Sequence, residues 1–127
     1  MAIEIVDDDD ELYRRIAFDD ISDNQLNRGA FSLRPGEEYL SVDLARLTTA
    51  EECLARPQPP RPDLGLVVVR AGDVRALGLT VVHDPLFYDD PGRDNPAHAR
   101  IAGENSRLVK KRLSGIARVL VYPTQCS

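Results

Sequence analysis

The stretch FSLRPGEEYLSVDLARLTTAEECLAR, residues 31–56, contains the clearest local pattern in the chain. At its centre, residues 40–44 read Leu-Ser-Val-Asp-Leu, so apolar and polar side chains alternate. A period of two places the apolar set on one face of a strand and the polar set on the other. The preceding RPGE, residues 34–37, is typical of a turn, because proline fixes its own φ and glycine tolerates a positive one.

A short helix is predicted directly after this strand. In residues 48–52, Thr-Thr-Ala-Glu-Glu, a threonine twice stands three residues before a glutamate. That is the spacing of a capping box, in which the hydroxyl and the carboxylate each bind an unpaired backbone amide. Pro57 is expected to end the helix at or before Arg56, because proline disfavours helical backbone angles at the preceding residue.

Further strands and helices are predicted on both sides of this unit. Strands are expected at residues 12–16, 30–33, 64–70, 79–83, 97–102 and 116–122, and short helices at 71–78 and 107–114. The run LVVV at 66–69 is typical of a strand buried on both faces. Together these patterns predict one α+β domain with a mixed, mostly antiparallel sheet of about five to seven strands and two or three short helices.

The last of these helices has an apolar stripe. In residues 107–114, Leu108, Val109 and Leu113 are expected to face inward, with the lysines and arginines mainly outward. Gly115 is expected just beyond its last residue, where glycine favours a left-handed helix cap.

The composition is that of a single acidic domain. The chain has 127 residues and a formal net charge of −5, which leaves room for one core and disfavours nucleic acid as a partner. No apolar run approaches the ~20 residues of a membrane span, and a signal-peptide pattern is lacking. Two cysteines, Cys53 and Cys126, are too few for a disulfide framework. These features predict a cytoplasmic protein that does not contact a membrane, with Cys53 as a small core residue.

Three segments interrupt the regular elements. Residues 1–11 form an N-terminal arm that ends in the acidic run DDDDE, and residues 57–63 form a proline-rich linker. The acidic run is expected to be a solvated turn, because four adjacent carboxylates cannot all converge on one metal ion. The third segment, DPLFYDDPGRDNP at 84–96, carries the adjacent aromatic residues Phe87 and Tyr88. A loop of this length is expected to be functional or mobile.

The two histidines are the first candidates for chemistry. His83 ends one predicted strand and His98 opens the next, with the aspartate-rich loop between them. If these strands are neighbours, both imidazoles and a carboxylate such as Asp84 could meet as a metal site or an acid–base pair. No familiar ligand spacing is present, and the alternative is that each histidine binds a backbone carbonyl.

An anion pocket is the second candidate site. Several arginines lie near polar strand positions, and guanidinium groups bind phosphates or carboxylates in a bidentate manner. The predicted ligand-binding residues are Tyr13, Arg15, Arg28, Arg34 and Asn95. The alternative is that these arginines pair with the acidic excess at the surface.

Four segments resemble small bacterial proteins that have no assigned activity. They are LYRRI at 12–16, YLSVD at 39–43, ALGL at 76–79 and NPAHA at 95–99. The resemblance covers most of the chain and implies no particular chemistry.

The chain also resembles ADP-ribosyltransferase-like folds, including RES-type toxins. Some members of this group have an arginine in a first strand that reads Leu-Tyr-Arg and a serine in a later strand. The resemblance implies that Arg14 contacts the phosphates of a nicotinamide cofactor and that Ser41 supports the nicotinamide end. The chain departs from the group at the third motif, for which only Glu104 is a candidate, and it lacks the glycine-rich signatures of the group.

Three functions follow from the sequence. The preferred prediction is a non-catalytic accessory or partner-binding protein of a bacterial operon, because the chain is small and acidic and has no complete catalytic constellation. The phosphate-loop, G-x-G-x-x-G, H-E-x-x-H and G-x-S-x-G motifs of common enzyme classes are absent. The alternative is an ADP-ribosyltransferase-like or other transferase or hydrolase that acts on a nucleotide-like small molecule, with Arg14, Ser41 and His98 as catalytic residues. A second alternative is a metal-dependent activity through His83 and His98. The sequence identifies no cofactor.

Overall fold

Eight strands and three α-helices make up the part of the chain that the computed structural model describes, residues 3–125. In chain order they are β1 (Glu11–Ile16), β2 (Ile21–Ser22), β3 (Gln25–Leu26), β4 (Leu40–Leu44), α1 (Ala50–Ala55), β5 (Gly65–Arg70), α2 (Ala71–Arg75), β6 (Thr80–His83), β7 (His98–Ala102), α3 (Arg107–Ile116) and β8 (Arg118–Val121). Single turns of 3-10 helix occur at Phe18–Asp20, Arg28–Phe31, Ala45–Leu47 and Pro91–Arg93. Cys126, predicted to lie in a frayed tail, is outside the described residues.

Six strands form one sheet in the order β6-β7-β4-β1-β5-β8, and every neighbouring pair is antiparallel. The strands β2 and β3 form a separate two-stranded sheet. The predicted α+β domain is therefore confirmed. Within residues 3–125, no helix has both the length and the apolar character needed to span a membrane.

The two faces of the sheet have different compositions. On the face that we call the core face, Leu12 and Ile16 of β1 lie with the three apolar residues of β4, and all are buried. This face packs on α3 through Val109 and Leu113. On the opposite face, which we call the polar face, β1 presents Tyr13 and Arg15. The alternation in β4 thus separates apolar packing from polar side chains, as predicted.

The strands β1 and β4 separate soon after they pair. Only two residue pairs join them, Leu12 with Leu44 and Tyr13 with Asp43. On its other side, β1 pairs with β5 over its full length, from Glu11 to Ile16. The sheet therefore opens beside Arg14, near its centre.

The turn at residues 34–37, the strand at 40–44 and the short helix after it are confirmed. Thr49 caps α1 by accepting a hydrogen bond from the backbone N–H of Glu52 at 3.1 Å. The strand predicted at 30–33 is wrong. Its first residues belong to the 3-10 turn Arg28–Phe31, because Asn27 caps that turn by accepting from the backbone N–H of Gly29.

The apolar stripe of α3 is narrower than predicted. Val109 and Leu113, one turn apart, are buried, but Leu108 is 55% exposed. Successive residues of an α-helix lie about 100° apart, so Leu108 falls outside the buried stripe. Gly115 lies inside α3, and Ala117 caps its end.

The acidic run forms the predicted turn, with the backbone N–H of Asp10 donating to the carbonyl of Asp7. Its carboxylates also take part in ion pairs. These join Asp8 to Arg75 at 2.8 Å, Asp9 to Arg70 at 2.9 Å, Asp10 to Arg46 at 2.9 Å and Glu11 to Arg118 at 3.2 Å. The run therefore links the start of β1 to distant parts of the chain.

Candidate functional site

A pocket of about 560 Å³ lies on the polar face of the sheet. Its floor includes Arg15 from β1, Ser41 from β4 and His98 from β7. One wall is formed by the end of α1 and the residues that follow it, and the other by the loop at 84–96. Three neighbouring strands thus each contribute a polar side chain to one concave surface.

The register of the sheet explains why these side chains meet. Asp43 of β4 lies opposite Tyr13 of β1 and His98 of β7. Directly opposed residues in an antiparallel pair point to the same face, and residues two apart along a strand share that face. Arg15 and Ser41 therefore lie on the same face as His98.

Ser41 and His98 are in direct contact. Ser41 Oγ lies 3.2 Å from His98 Nε2, and His98 Nδ1 lies 2.8 Å from the backbone carbonyl oxygen of Asp84. A carbonyl oxygen only accepts hydrogen bonds, so Nδ1 carries a proton. In the neutral ring, Nε2 is then an acceptor for the Ser41 hydroxyl. The imidazole is 4% exposed, and the ring of Tyr39 packs against it edge-on, with the ring centroids 6.0 Å apart.

Asp43 organises the polar groups beneath the pocket. Its carboxylate is 2% exposed and accepts hydrogen bonds from Arg56 Nη1 and Asn95 Nδ2, both at 2.8 Å. Arg15 Nη1 lies 3.6 Å from the same carboxylate. A buried charge is stable only when it is paired and hydrogen-bonded, so Asp43 requires these partners. It thereby fixes residues from β1, α1 and the loop at 84–96 around one point.

The thiol of Cys53 also belongs to this cluster. Its Sγ donates a hydrogen bond to Asp43 at 3.0 Å. Burial, followed by the charge and hydrogen bond of Asp43, raises the pKa of the Cys53 thiol to about 12. The prediction of a core cysteine is confirmed, because Cys53 is fully buried, and the neutral thiol is not suited to nucleophilic chemistry.

The lining of the pocket carries side chains of both charge signs. Arg15, Arg56 and Arg93 line it together with Glu52 and Asp94, so the cationic side chains are in excess by one. The Arg93 guanidinium lies over the ring of Tyr88, which also lines the pocket, at 4.9 Å from its centroid. Asp94 accepts a hydrogen bond from the backbone N–H of Tyr88 at 2.8 Å. These contacts give the irregular loop a defined shape beside the pocket.

Arg14 does not line this pocket. It lies on the core face, 6% exposed, and donates to the backbone carbonyls of Ala30 at 2.6 Å, Ser41 at 2.9 Å and Ser32 at 3.3 Å. Desolvation by burial is the main cause that lowers its pKa to about 10. The Arg14 guanidinium thus connects β4, where that strand separates from β1, to residues 30–32 of the segment that precedes β4.

The other predicted ligand-binding residues fall into three places. Asn95 lines the pocket with Ser41 and His98. Tyr13 and Arg34 line a narrow adjoining cavity of about 20 Å³. Arg28 lies in a separate groove of about 640 Å³ beside α3, with Arg107 and Lys111. Arg14, Arg15 and Ser41 line the same narrow cavity, so the structure brings the predicted arginines Arg15 and Arg34 together and leaves Arg28 apart.

The two histidines do not meet. The strands β6 and β7 are neighbours, but His83 lies opposite Ala99, and Ala99 and His98 point to opposite faces. His83 Nδ1 accepts a hydrogen bond from the backbone N–H of Glu4, and its Nε2 donates to the carbonyl of Pro96. Among residues 3–125, no group of three His, Cys, Asp or Glu side chains is arranged to hold a metal ion. The predicted meeting of the two histidines is therefore wrong, and the alternative is confirmed, because each imidazole binds a backbone carbonyl: His83 that of Pro96 and His98 that of Asp84.

Sequence reasoning missed the contribution of Arg56 and Arg93 to the pocket. Arg56 follows the predicted helix, and Arg93 lies in the irregular loop, so neither belongs to a periodic pattern. For Arg15 the sequence did carry a signal, because the alternation of β1 places Arg15 on the same face as Tyr13 and on the face opposite to Leu12 and Arg14.

Comparison of the chain with protein-family models, curated proteins and solved structures found no match.

Proposed function

We propose that the protein binds a nucleotide-like small molecule, with its phosphates among the arginines of the pocket on the polar face. The observation that supports this most is that Arg15, Ser41 and His98, from three adjacent strands, line one pocket of about 560 Å³. A volume of roughly 300–1,000 Å³ is usual for small-molecule sites. Guanidinium groups are suited to phosphate because their planar donors match its oxygens.

The ligand chemistry is the one implied by the resemblance to ADP-ribosyltransferase-like proteins. That resemblance assigns the phosphate contact to Arg14, which is buried on the core face. Its neighbour Arg15 lines the pocket with Ser41, and in this proposal Arg15 takes the phosphate-binding role. Dinucleotides of the NAD⁺ type are therefore the first ligands to test, and a cytoplasmic location remains a prediction that suits them.

Isothermal titration calorimetry with NAD⁺, ADP-ribose and ADP tests this function. We expect at least one of them to bind, and Arg93→Gln to weaken its binding by at least about tenfold, because a hydrogen bond to a charged group contributes roughly 1.5–3 kcal/mol. Arg93 suits this test because its guanidinium lies over the ring of Tyr88 in an exposed loop, outside the buried cluster around Asp43.

The matched control is Arg107→Gln, which removes an exposed arginine that lines the separate groove beside α3. It should leave the affinity unchanged. The proposal fails if none of the three compounds produces a binding heat, or if the two variants weaken binding equally.

The second candidate function is the partner-binding protein predicted from the sequence. It is favoured by two adjacent aromatic side chains in the loop at 84–96, Phe87 and Tyr88, which are 55% and 45% exposed. Exposed aromatic residues of this kind are common at protein interfaces.

Capture of binding proteins from a native lysate checks this candidate. We expect the wild-type chain to retain a protein that Phe87→Ser loses. Leu108→Ser is the matched control, because Leu108 is equally exposed but lies on α3. Equal capture by both variants would rule out the loop as the contact.

A further inference from the structure

We propose that Ser41 is a nucleophile that His98 activates, and that it attacks phosphorus in a phosphoanhydride held in the pocket on the polar face. This inference rests on the proposed function, because the pocket must first bind a phosphate-bearing ligand. It adds to that function a chemical reaction, the residue that acts as the nucleophile and the bond that is cleaved.

The contact between the two side chains has the geometry of a nucleophile and its base. Ser41 Oγ lies 3.2 Å from His98 Nε2, which is near the outer limit of hydrogen-bond reach for such a pair. The backbone carbonyl of Asp84 fixes the proton of the imidazole on Nδ1 and leaves Nε2 to accept the serine proton. The Asp84 carboxylate, 3.6 Å from Nδ1, is close enough to stabilise the imidazolium that forms.

The surrounding charges favour phosphorus as the electrophile. Arg15, Arg56 and Arg93 line the same pocket as Ser41, and guanidinium groups stabilise the charge that develops on transferring phosphoryl groups. Arg56 and Arg15 also lie 2.8 Å and 3.6 Å from the buried carboxylate of Asp43. Arg93, whose guanidinium lies over the ring of Tyr88, is therefore the arginine expected to meet the phosphoryl group.

In the first step, Ser41 Oγ forms a bond to phosphorus while its proton passes to His98 Nε2. The bond between phosphorus and the bridging oxygen breaks, and the leaving phosphate departs with the electron pair. In the second step, water attacks the phosphoserine, the bond to Oγ breaks, and Oγ recovers the proton from His98. The proton that the water loses passes to solvent, so the sum is hydrolysis of the anhydride to two phosphates.

The position of His98 selects the class of substrate. In an in-line displacement, the leaving oxygen departs on the side of phosphorus opposite to the nucleophile. His98 lies beside Ser41 and cannot protonate that oxygen. A phosphate leaving group needs no proton to depart, whereas an alkoxide does, so an anhydride suits this site better than a simple ester.

A fluorophosphonate probe tests the inference without a known substrate. The purified protein is incubated with the probe, which transfers its phosphonyl group to an activated serine and releases fluoride. Intact mass and peptide mapping then locate the adduct. We expect one adduct on Ser41, none on Ser41→Ala, and labelling of His98→Gln at least about 100-fold slower, because general-base catalysis contributes 10²–10⁴-fold.

Two further measurements keep the result interpretable. Ser114→Ala is the control, because the Ser114 hydroxyl donates to a carbonyl of its own helix and Ser114 lines the separate groove beside α3. It should be labelled on Ser41 like the wild-type protein, and circular dichroism melting should show that His98→Gln is folded.

An unlabelled Ser41, or labelling that does not depend on His98 in a folded variant, overturns the inference. Calorimetry separates this outcome from failure of the proposed function. If NAD⁺, ADP-ribose or ADP binds while Ser41 stays unlabelled, the binding function stands and the phosphoryl transfer does not. If none of them binds, the binding function fails together with the reaction that rests on it.

Discussion

Neighbouring residues of this chain have very different environments. Arg14 donates to three backbone carbonyls on the core face, whereas Arg15 reaches the pocket and donates to the carbonyl of Cys53. A shift of one position along a strand changes which face a side chain occupies. A residue assignment taken from a short motif such as Leu-Tyr-Arg therefore needs the strand register before it identifies the arginine that meets a ligand.

The buried thiol of Cys53 gives a prediction at this scale. Because its pKa is raised from 9.0 to about 12, the native protein at pH 8 contains on the order of a thousandfold less thiolate than the unfolded chain. In a Cys126→Ser background, a thiol reagent should modify Cys53 very slowly in native buffer and rapidly in guanidinium chloride.

The raised pKa of the Cys53 thiol also makes the free energy of unfolding depend on pH. Above about pH 9 the thiol ionises in the unfolded chain but stays neutral in the folded one. The stability that it contributes is thus complete below pH 9 and is lost as the pH rises toward about 12. If the thiol reagent modified Cys53 as fast in the native protein as in the unfolded chain, the burial of this thiol would be contradicted.

At the scale of elements, α1 supports the pocket although it is only six residues long. It carries Cys53, whose carbonyl binds Arg15, and it is followed by Arg56, which binds Asp43. So short a helix has little stability of its own. Its cap at Thr49 therefore matters for the position of two pocket arginines.

Replacing Thr49 tests this dependence. We expect Thr49→Ala to lower the free energy of unfolding by about 1 kcal/mol, the usual cost of losing an N-cap side chain. Thr49→Ser should retain most of the stability, because serine offers the same hydroxyl to the N–H of Glu52. Urea denaturation of the three proteins measures the difference, and equal stability of all three would show that the cap contributes nothing.

At the scale of the whole molecule, the sequence predicted the sheet better than the site. The alternation at 40–44 and the apolar run at 66–69 predicted β4 and β5, because local periodicity reports which face is buried. Strand order depends on contacts between distant residues, and no local pattern revealed that β1 lies between β4 and β5. The site depends on that order, since Arg15, Ser41 and His98 meet only when β1, β4 and β7 are neighbours.

The errors have a related cause. The convergence of His83 and His98 was predicted from their nearness to one loop, but antiparallel register directs them to opposite faces. In α3, three apolar residues suggested a wide stripe, and packing used only Val109 and Leu113. In each case the pattern identified an element correctly and left its rotation or register undetermined.

The division of the sheet into two faces also bears on how this protein can be redesigned. In β1 and β4, the apolar side chains of the core and the side chains that line the pocket occupy alternate positions of the same strands. A combinatorial library restricted to Arg15, Ser41 and His98 would change the chemical character of the cavity while leaving the hydrophobic layer behind it untouched. The lining of the cavity can thus be varied at these three positions without replacing a residue of the core face.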